Sequence, residues 1–221
     1  MIFRTIMAVL ATFALSLSPA VAKSKAEATA TAPALPTFVD PDPTHSPEDV
    51  LLLDLSNGGR VSIRLMPQWA PNHVERIKTL AGQGFYDGVI FHRVIEGFMA
   101  QTGDPTGTGS GGSQFPDLKA EFNAMPHVRG TVSMARTSDP DSANSQFFIV
   151  FYPRFSLDKK YTVFGRVIGG MDVVDRIERG EPPANPTRIL HARMATQSGT
   201  PVPQPAEPAI SVSDLENSSS D

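Results

Sequence analysis

Residues 60–65 read RVSIRL, and within them Val61, Ile63 and Leu65 alternate strictly with Ser62 and Arg64. Side chains two residues apart lie on one face of an extended chain, so this stretch is a β-strand with one apolar face. The same short texture recurs in DVLLLDL (49–55), VIFHRVI (89–95), GTVSMA (130–135), SQFFIVF (145–151), YTVFGRV (161–167) and TRILHARM (187–194), with Gly, Pro, Asn or Asp at the boundaries. Many short strands at this spacing specify a mostly β domain, either a sandwich or a barrel.

Two stretches break the period of two. APNHVERIKTLAGQG (70–84) places Pro71 at a helix start, Val74, Ile77 and Ala81 on one face and glycine at the end. MDVVDRIERG (171–180) reads as a shorter helix closed by Gly180. No internal repeat is visible.

The chain has 221 residues, 40% of them hydrophobic and 19% charged, with a formal net charge of -4. That suffices for one domain with a real core plus appended segments, and it supplies no basic excess for nucleic acid. At the N-terminus, Arg4, the apolar run 6–17 and Ala20-Val21-Ala22 after Pro19 form a secretory signal peptide over residues 1–22, with the mature chain expected to start at Lys23. Residues 23–47 are an Ala/Thr/Pro-rich linker, expected to be flexible, and residues 197–221 a Pro/Ser-rich tail, expected to be disordered; neither holds enough large apolar residues to offset its ordering entropy. The folded domain is therefore expected over residues 48–196. The run has no cysteine after it for a lipid anchor, and with Cys 0 no disulfide is available.

Familiar catalytic signatures do not fit. Gly107, Gly109 and Gly112 satisfy a dinucleotide-type glycine spacing, but Pro116 keeps SQFPDLK (113–119) from opening the helix that such a site requires. A bent, closely packed surface loop is the better reading. The histidines, His45, His73, His92, His127 and His191, lack metal-ligand spacing, and no serine sits in a nucleophile elbow. His92 alternates with Arg93 and reads as a satisfied core histidine.

The stretch FHRVIEGFMAQTGDP (91–105) is different in kind, because Arg93 and Gln101 stand among phenylalanine, methionine and isoleucine. By alternation Phe91 shares a face with Arg93, Met99 with Gln101, and Gln146 with Phe148. Converging, these strands would form a shallow apolar pocket rimmed by arginine and glutamine. Unrelated strands whose arginine merely reaches solvent fit the pattern as well.

That stretch, together with GTGSGG (107–112), TVSMAR (131–136), NSQFFIVF (144–151) and YTVFGRVIGGMDVVDRI (161–177), resembles the successive signature blocks of the cyclophilin-type peptidyl-prolyl cis/trans isomerases. Agreement in order and spacing runs from Val50 to Met194, nearest to the bacterial exported branch. The resemblance implies an eight-stranded antiparallel β-barrel capped by two α-helices. It implies an isomerase that accelerates X-Pro rotation in unfolded or extended exported proteins in the periplasm, as a monomer with no cofactor, no nucleic acid and no membrane insertion after signal cleavage. A peptide-binding chaperone module with incidental isomerase activity is the rival function on the same fold.

Residue by residue, the resemblance assigns catalysis to Arg93, oriented by Gln101. It assigns the proline pocket to Phe98, Met99, Phe148 and Leu157, and peptide contacts to Gly109, Ala135, Arg136 and Gln146. Arg136 stands where the family has asparagine, Tyr161 where it has the pocket histidine, and Ser156 where it has the pocket tryptophan. Phe155 is the nearby side chain that would fill that last position; Trp69, the only tryptophan, lies before the first helix.

Overall fold

The structure is a computed structural model that describes residues 38–197; the expected signal peptide, the linker as far as residue 37 and the tail from residue 198 lie outside the described residues. Eight strands, β1 (Val50–Leu55), β2 (Gly59–Leu65), β3 (Arg93–Ile95), β4 (Met99–Thr102), β5 (Thr131–Met134), β6 (Phe147–Val150), β7 (Val163–Gly169) and β8 (Ile189–Met194), form one antiparallel sheet in the order β3-β4-β6-β5-β7-β2-β1-β8. The sheet curls until its edges meet, joined by the Ile90–Arg188 bridge and by the Phe91 N–H donating to the Thr187 carbonyl at 2.9 Å.

The alternation in RVSIRL and SQFFIVF does what period two requires. Val61, Ile63 and Leu65 of β2 and Phe147 and Ile149 of β6 turn inward with Leu51, Leu53 and Phe164, all at most 1% exposed. Helix α1 (Pro71–Gly82) adds Val74, Ile77, Leu80 and Ala81 to that core. Its first turn has no local side-chain cap. Instead Glu121 accepts from the Asn72 and His73 backbone N–H groups, at 3.2 and 3.1 Å, and so satisfies donors that a helix start leaves open. The outward faces of β4 and β6 form a separate cluster of Met99, Phe148 and Val150, with Phe98, Ala135, Leu157 and Tyr161 packed against it. This face, not the barrel interior, carries the site.

Four details depart from the sequence reading. The run 89–95 is not one strand: Ile90 and Phe91 bond to the segment before β8, whereas Arg93–Ile95 pairs with β4. The chain changes partner between them, so Phe91 is buried in the core while Arg93 lies outside, and the expected shared face does not exist. Helix α2 spans only Met171–Asp175. Gly180 does not end it but bridges to Val94 of β3. Finally, the domain starts before residue 48, because Arg64 reaches out from β2 and holds residues 40–46. Its guanidinium donates to the carbonyls of Asp40 (3.3 Å), His45 (2.6 Å), Ser46 (3.0 Å) and Asp42. This clamp, with Val39 packed beside Met66 and Trp69, anchors the described end of the segment that reads as flexible from its composition.

Candidate functional site

On the outer face, β-register brings the chemistry together. Gln101 of β4 lies opposite Arg93 of β3 on one side and opposite Phe148 of β6 on the other. A cavity of about 340 Å³ opens over them, lined by Arg93, Phe98, Met99, Gln101, Ala135, Arg136, Phe148, Leu157 and Tyr161. A second cavity of about 560 Å³ adjoins it, shares Gln101, Ala135 and Arg136, and extends past Gly109 and Gln146 to Asp117 and Asn144. Every residue assigned to catalysis, the proline pocket or peptide contact therefore lines one of two contiguous hollows. Neither Phe155 nor Ser156 does: Phe155, in the 3-10 turn Phe155–Leu157, is 63% exposed, and of that turn only Leu157 lines the hollow.

The floor is apolar and held from behind. Phe148 is 5% exposed and Met99 1%. The Phe148 ring stacks on His127 at 6.2 Å between centroids and meets Tyr161 edge-on at 5.9 Å. His127 is fully buried, with Nδ1 2.9 Å from the Asp158 carboxylate and Nε2 3.1 Å from the Ser133 hydroxyl. The carboxylate calls for a proton on Nδ1, so the single Ser133 hydroxyl proton serves either Nε2 or the Thr162 carbonyl. Serine, histidine and aspartate thus align as in a hydrolase, but Ser133 is fully buried and its hydroxyl also reaches the Thr162 carbonyl at 3.0 Å. The trio braces Phe148 and has no access to a substrate. Burial pushes the His127 pKa down, and Asp158 offsets this only in part.

The polar rim has its own supports. Arg136 lies over the Tyr161 ring at 4.4 Å and donates to the carbonyls of Thr137 (2.8 Å) and Lys160 (2.8 Å). Arg154 covers the Phe98 ring at 4.9 Å. The glycine loop wraps a carboxylate, as a bent surface loop can: Asp104 accepts from the Thr106 hydroxyl (2.8 Å) and from the backbone N–H groups of Thr106 (2.8 Å), Gly109 (2.6 Å) and Gly111 (3.1 Å). Burial alone would raise the Asp104 pKa; these donors hold it at about 2. A side chain at Gly111 would collide with that carboxylate, which explains a glycine there.

Two expectations about polar partners fail. Gln101 lies opposite Arg93 but is not hydrogen-bonded to it; its amide donates to Gln146 Oε1 at 2.9 Å, and Gln146 in turn donates to the Gly109 (3.0 Å) and Gly111 (2.8 Å) carbonyls. The amide relay therefore stiffens the wall between the cavities. The side chain that does hold Arg93 is Glu181, which accepts from Nε at 2.7 Å. No pattern near Arg93 announces Glu181, since the two are 88 positions apart. His92 is buried as expected, at 5% exposure, yet neither ring nitrogen has a hydrogen-bond partner. Gln146 beside it has committed its N–H groups to Gly109 and Gly111, and burial lowers the imidazole pKa.

Among the described residues no group of three or more His, Cys, Asp or Glu side chains is placed to hold a metal ion. What the arrangement offers is one arginine, 43% exposed and bonded through Nε only, at the edge of an apolar hollow. Among the described residues both Nη groups are without a hydrogen-bond partner.

Comparison with known proteins agrees with this geometry. The family model for cyclophilin type peptidyl-prolyl cis-trans isomerases matches residues 51–194. A probable peptidyl-prolyl cis-trans isomerase of Brucella suis is 48% identical over 162 residues, covering 66% of this chain and 82% of that protein. The human peptidyl-prolyl cis-trans isomerase-like 3 is 40% identical over 154 residues, covering 66% and 94%. Among solved structures, the cyclophilin AquaCyp293 from Hirschia baltica aligns with a TM-score of 0.64 at 30% identity, covering 69% of this chain and 76% of that one. A cyclophilin type isomerase from Cryptosporidium parvum, crystallised in the presence of the dipeptide Ala-Pro, aligns at 0.61 with 28% identity, covering 66% and 98%.

Proposed function

The chain belongs to the cyclophilin-type peptidyl-prolyl cis/trans isomerases, and from that premise we propose that Arg93 catalyses rotation of X-Pro bonds in extended polypeptides. The activity is peptidyl-prolyl cis/trans isomerisation, the one named for the relatives. Rotation about an X-Pro bond must break amide resonance across a barrier of about 18–20 kcal/mol, and unassisted it takes tens to hundreds of seconds. No covalent bond is made or broken, so no nucleophile or cofactor is required.

In the twisted transition state the proline nitrogen turns pyramidal and regains its lone pair. A guanidinium N–H directed at that nitrogen binds the twisted amide better than either planar isomer, which is the condition for catalysis. The free Nη groups of Arg93 have this capacity. The proline ring fits over Phe148 and Met99, where exclusion of water strengthens the donor's effect. Phe98, Leu157 and Tyr161 close that hollow. Residues preceding the proline run toward the adjoining cavity along Gly109, Ala135, Arg136 and Gln146. The presence of Ala-Pro with the Cryptosporidium relative supports the same ligand class here.

The observation that carries the proposal is the half-exposed Arg93 with both Nη groups unspent beside an apolar floor. The substrates we propose are exported proteins, met in the periplasm after cleavage of residues 1–22, a reading that rests on the sequence pattern alone. Exchange NMR on an Ala-Pro tetrapeptide tests the chemistry: the expected result is accelerated cis/trans exchange at substoichiometric protein. Peptide binding with no acceleration would leave the chaperone module as the function. Mass spectrometry of the secreted chain tests the location, with a start at Lys23 expected and an uncleaved cytoplasmic product contradicting it.

A further inference from the structure

Glu181 is in direct contact with Arg93, and we infer that it is the positioning residue for isomerisation, an inference that rests on Arg93 being the catalytic donor. Its placement is built into the fold. Gly180 forms two backbone hydrogen bonds with Val94, its carbonyl accepting at 2.8 Å and its N–H donating at 2.9 Å. These tie the segment after α2 to β3 one residue away from Arg93. Gly180 has φ 146, and a Cβ there would lie 2.6 Å from the Pro183 Cα, so only glycine fits. The next residue is thereby delivered beside Arg93, and its carboxylate accepts a hydrogen bond from Nε–H at 2.7 Å.

The neighbouring pair on the same ribbon shows what is particular about this contact. Arg179 also donates Nε to a carboxylate, Glu96, at 2.7 Å. Its Nη1, however, is spent on the Asp175 and Ile177 carbonyls, and its guanidinium is stacked on the Phe151 ring at 4.3 Å. Arg93 has no such second commitment. Glu181 holds one edge of the guanidinium and leaves the other edge for a ligand, which is the division of labour a positioned donor needs. Both side chains are about half exposed, at 43% and 51%, so the pair adds little to stability. Gln101, the residue assigned this task by resemblance, is turned to Gln146.

Loss of Glu181 releases Arg93 to sample its solvent-facing rotamers, while the apolar floor that binds proline is untouched. The prediction is therefore a split. In Glu181→Ala, turnover at saturating Ala-Pro peptide falls about three- to tenfold, while the peptide Kd from NMR titration stays the same. Glu181→Gln keeps an acceptor for Nε and restores most of the loss. In an Arg93→Ala background, whose residual exchange NMR can still quantify, Glu181→Ala has no further effect. Unchanged or increased turnover in folded Glu181→Ala overturns the inference, as does an equal additional loss in the Arg93→Ala background. If Arg93→Ala itself turns over normally, the catalytic role of Arg93 fails and the inference falls with it. If Arg93→Ala is inactive and Glu181→Ala normal, the positioning role alone fails.

Discussion

Arg64 and Arg93 stand on strands of the same sheet, and both interrupt apolar sequence with a permanent cation. Arg64 is 4% exposed and donates from Nε and both Nη groups to four backbone carbonyls. Arg93 is 43% exposed and donates from Nε to one carboxylate. The first has spent its donors on the protein; the second keeps both Nη groups for something else. A strand arginine is therefore marked as functional by its unsatisfied hydrogen-bonding capacity beside an apolar hollow, and not by its position in an alternating pattern.

Crossed substitutions test this contrast. The largest effect is expected for Arg93→Ala, which should lower kcat/KM by roughly 100- to 1000-fold in a protease-coupled assay. Its melting temperature should stay close to that of the parent chain, because an exposed pair contributes little to stability. Arg64→Ala should do the reverse. Four carbonyls lose their donor, so unfolding free energy should drop by about 2–3 kcal/mol, or roughly 5–10 °C in Tm, with turnover per folded molecule unchanged. If Arg64→Ala lost turnover while fully folded, the division between scaffold and site would be wrong.

Phe148→Ala sits between the two, since this ring is both floor and packing element. It should weaken Ala-Pro peptide binding by about tenfold by titration, because a buried aromatic contact is lost. The smallest effect is that of pH on the scaffold behind the floor. Burial holds the pKa values of His73, His92 and His127 below the ordinary 6.5. The unfolded chain takes up protons near 6.5 while the folded chain resists, so stability is full above that pH. It is lost progressively as pH falls below 6.5 toward the depressed folded values. A decline of roughly a few degrees in Tm between pH 7.5 and 5.5 is expected. Asp104 adds a second loss at lower pH, between its ordinary 3.8 and about 2.

How far the sequence was legible follows the same physics. Period two in RVSIRL and SQFFIVF, and Pro71 with its apolar helical face, predicted β2, β6 and α1, because local alternation is what these elements are made of. The resemblance nominated every residue that lines the smaller hollow but only Gln101, Gly109, Ala135, Arg136 and Gln146 of the larger one. What stayed hidden was set by distant partners. Phe91 and Arg93 were separated because the chain changes strand partner between them. Residues 40–46 looked unanchored because their anchor, Arg64, is a side chain bonding to backbone, which carries no composition signal. Glu181 was invisible for the same reason: only the Gly180–Val94 bridge brings it to Arg93.

The account rests on one idea, that the free Nη edge of Arg93 acts on the twisted amide and not on ground-state affinity. Exchange NMR at peptide concentrations that saturate both proteins isolates it, by comparing cis/trans exchange within the bound complex for the parent chain and Arg93→Ala. The predicted result is fast bound-state exchange in the parent and a collapse of that rate in Arg93→Ala at equal occupancy. Equal exchange rates in the two complexes would contradict the account and return Arg93 to the class of Arg64.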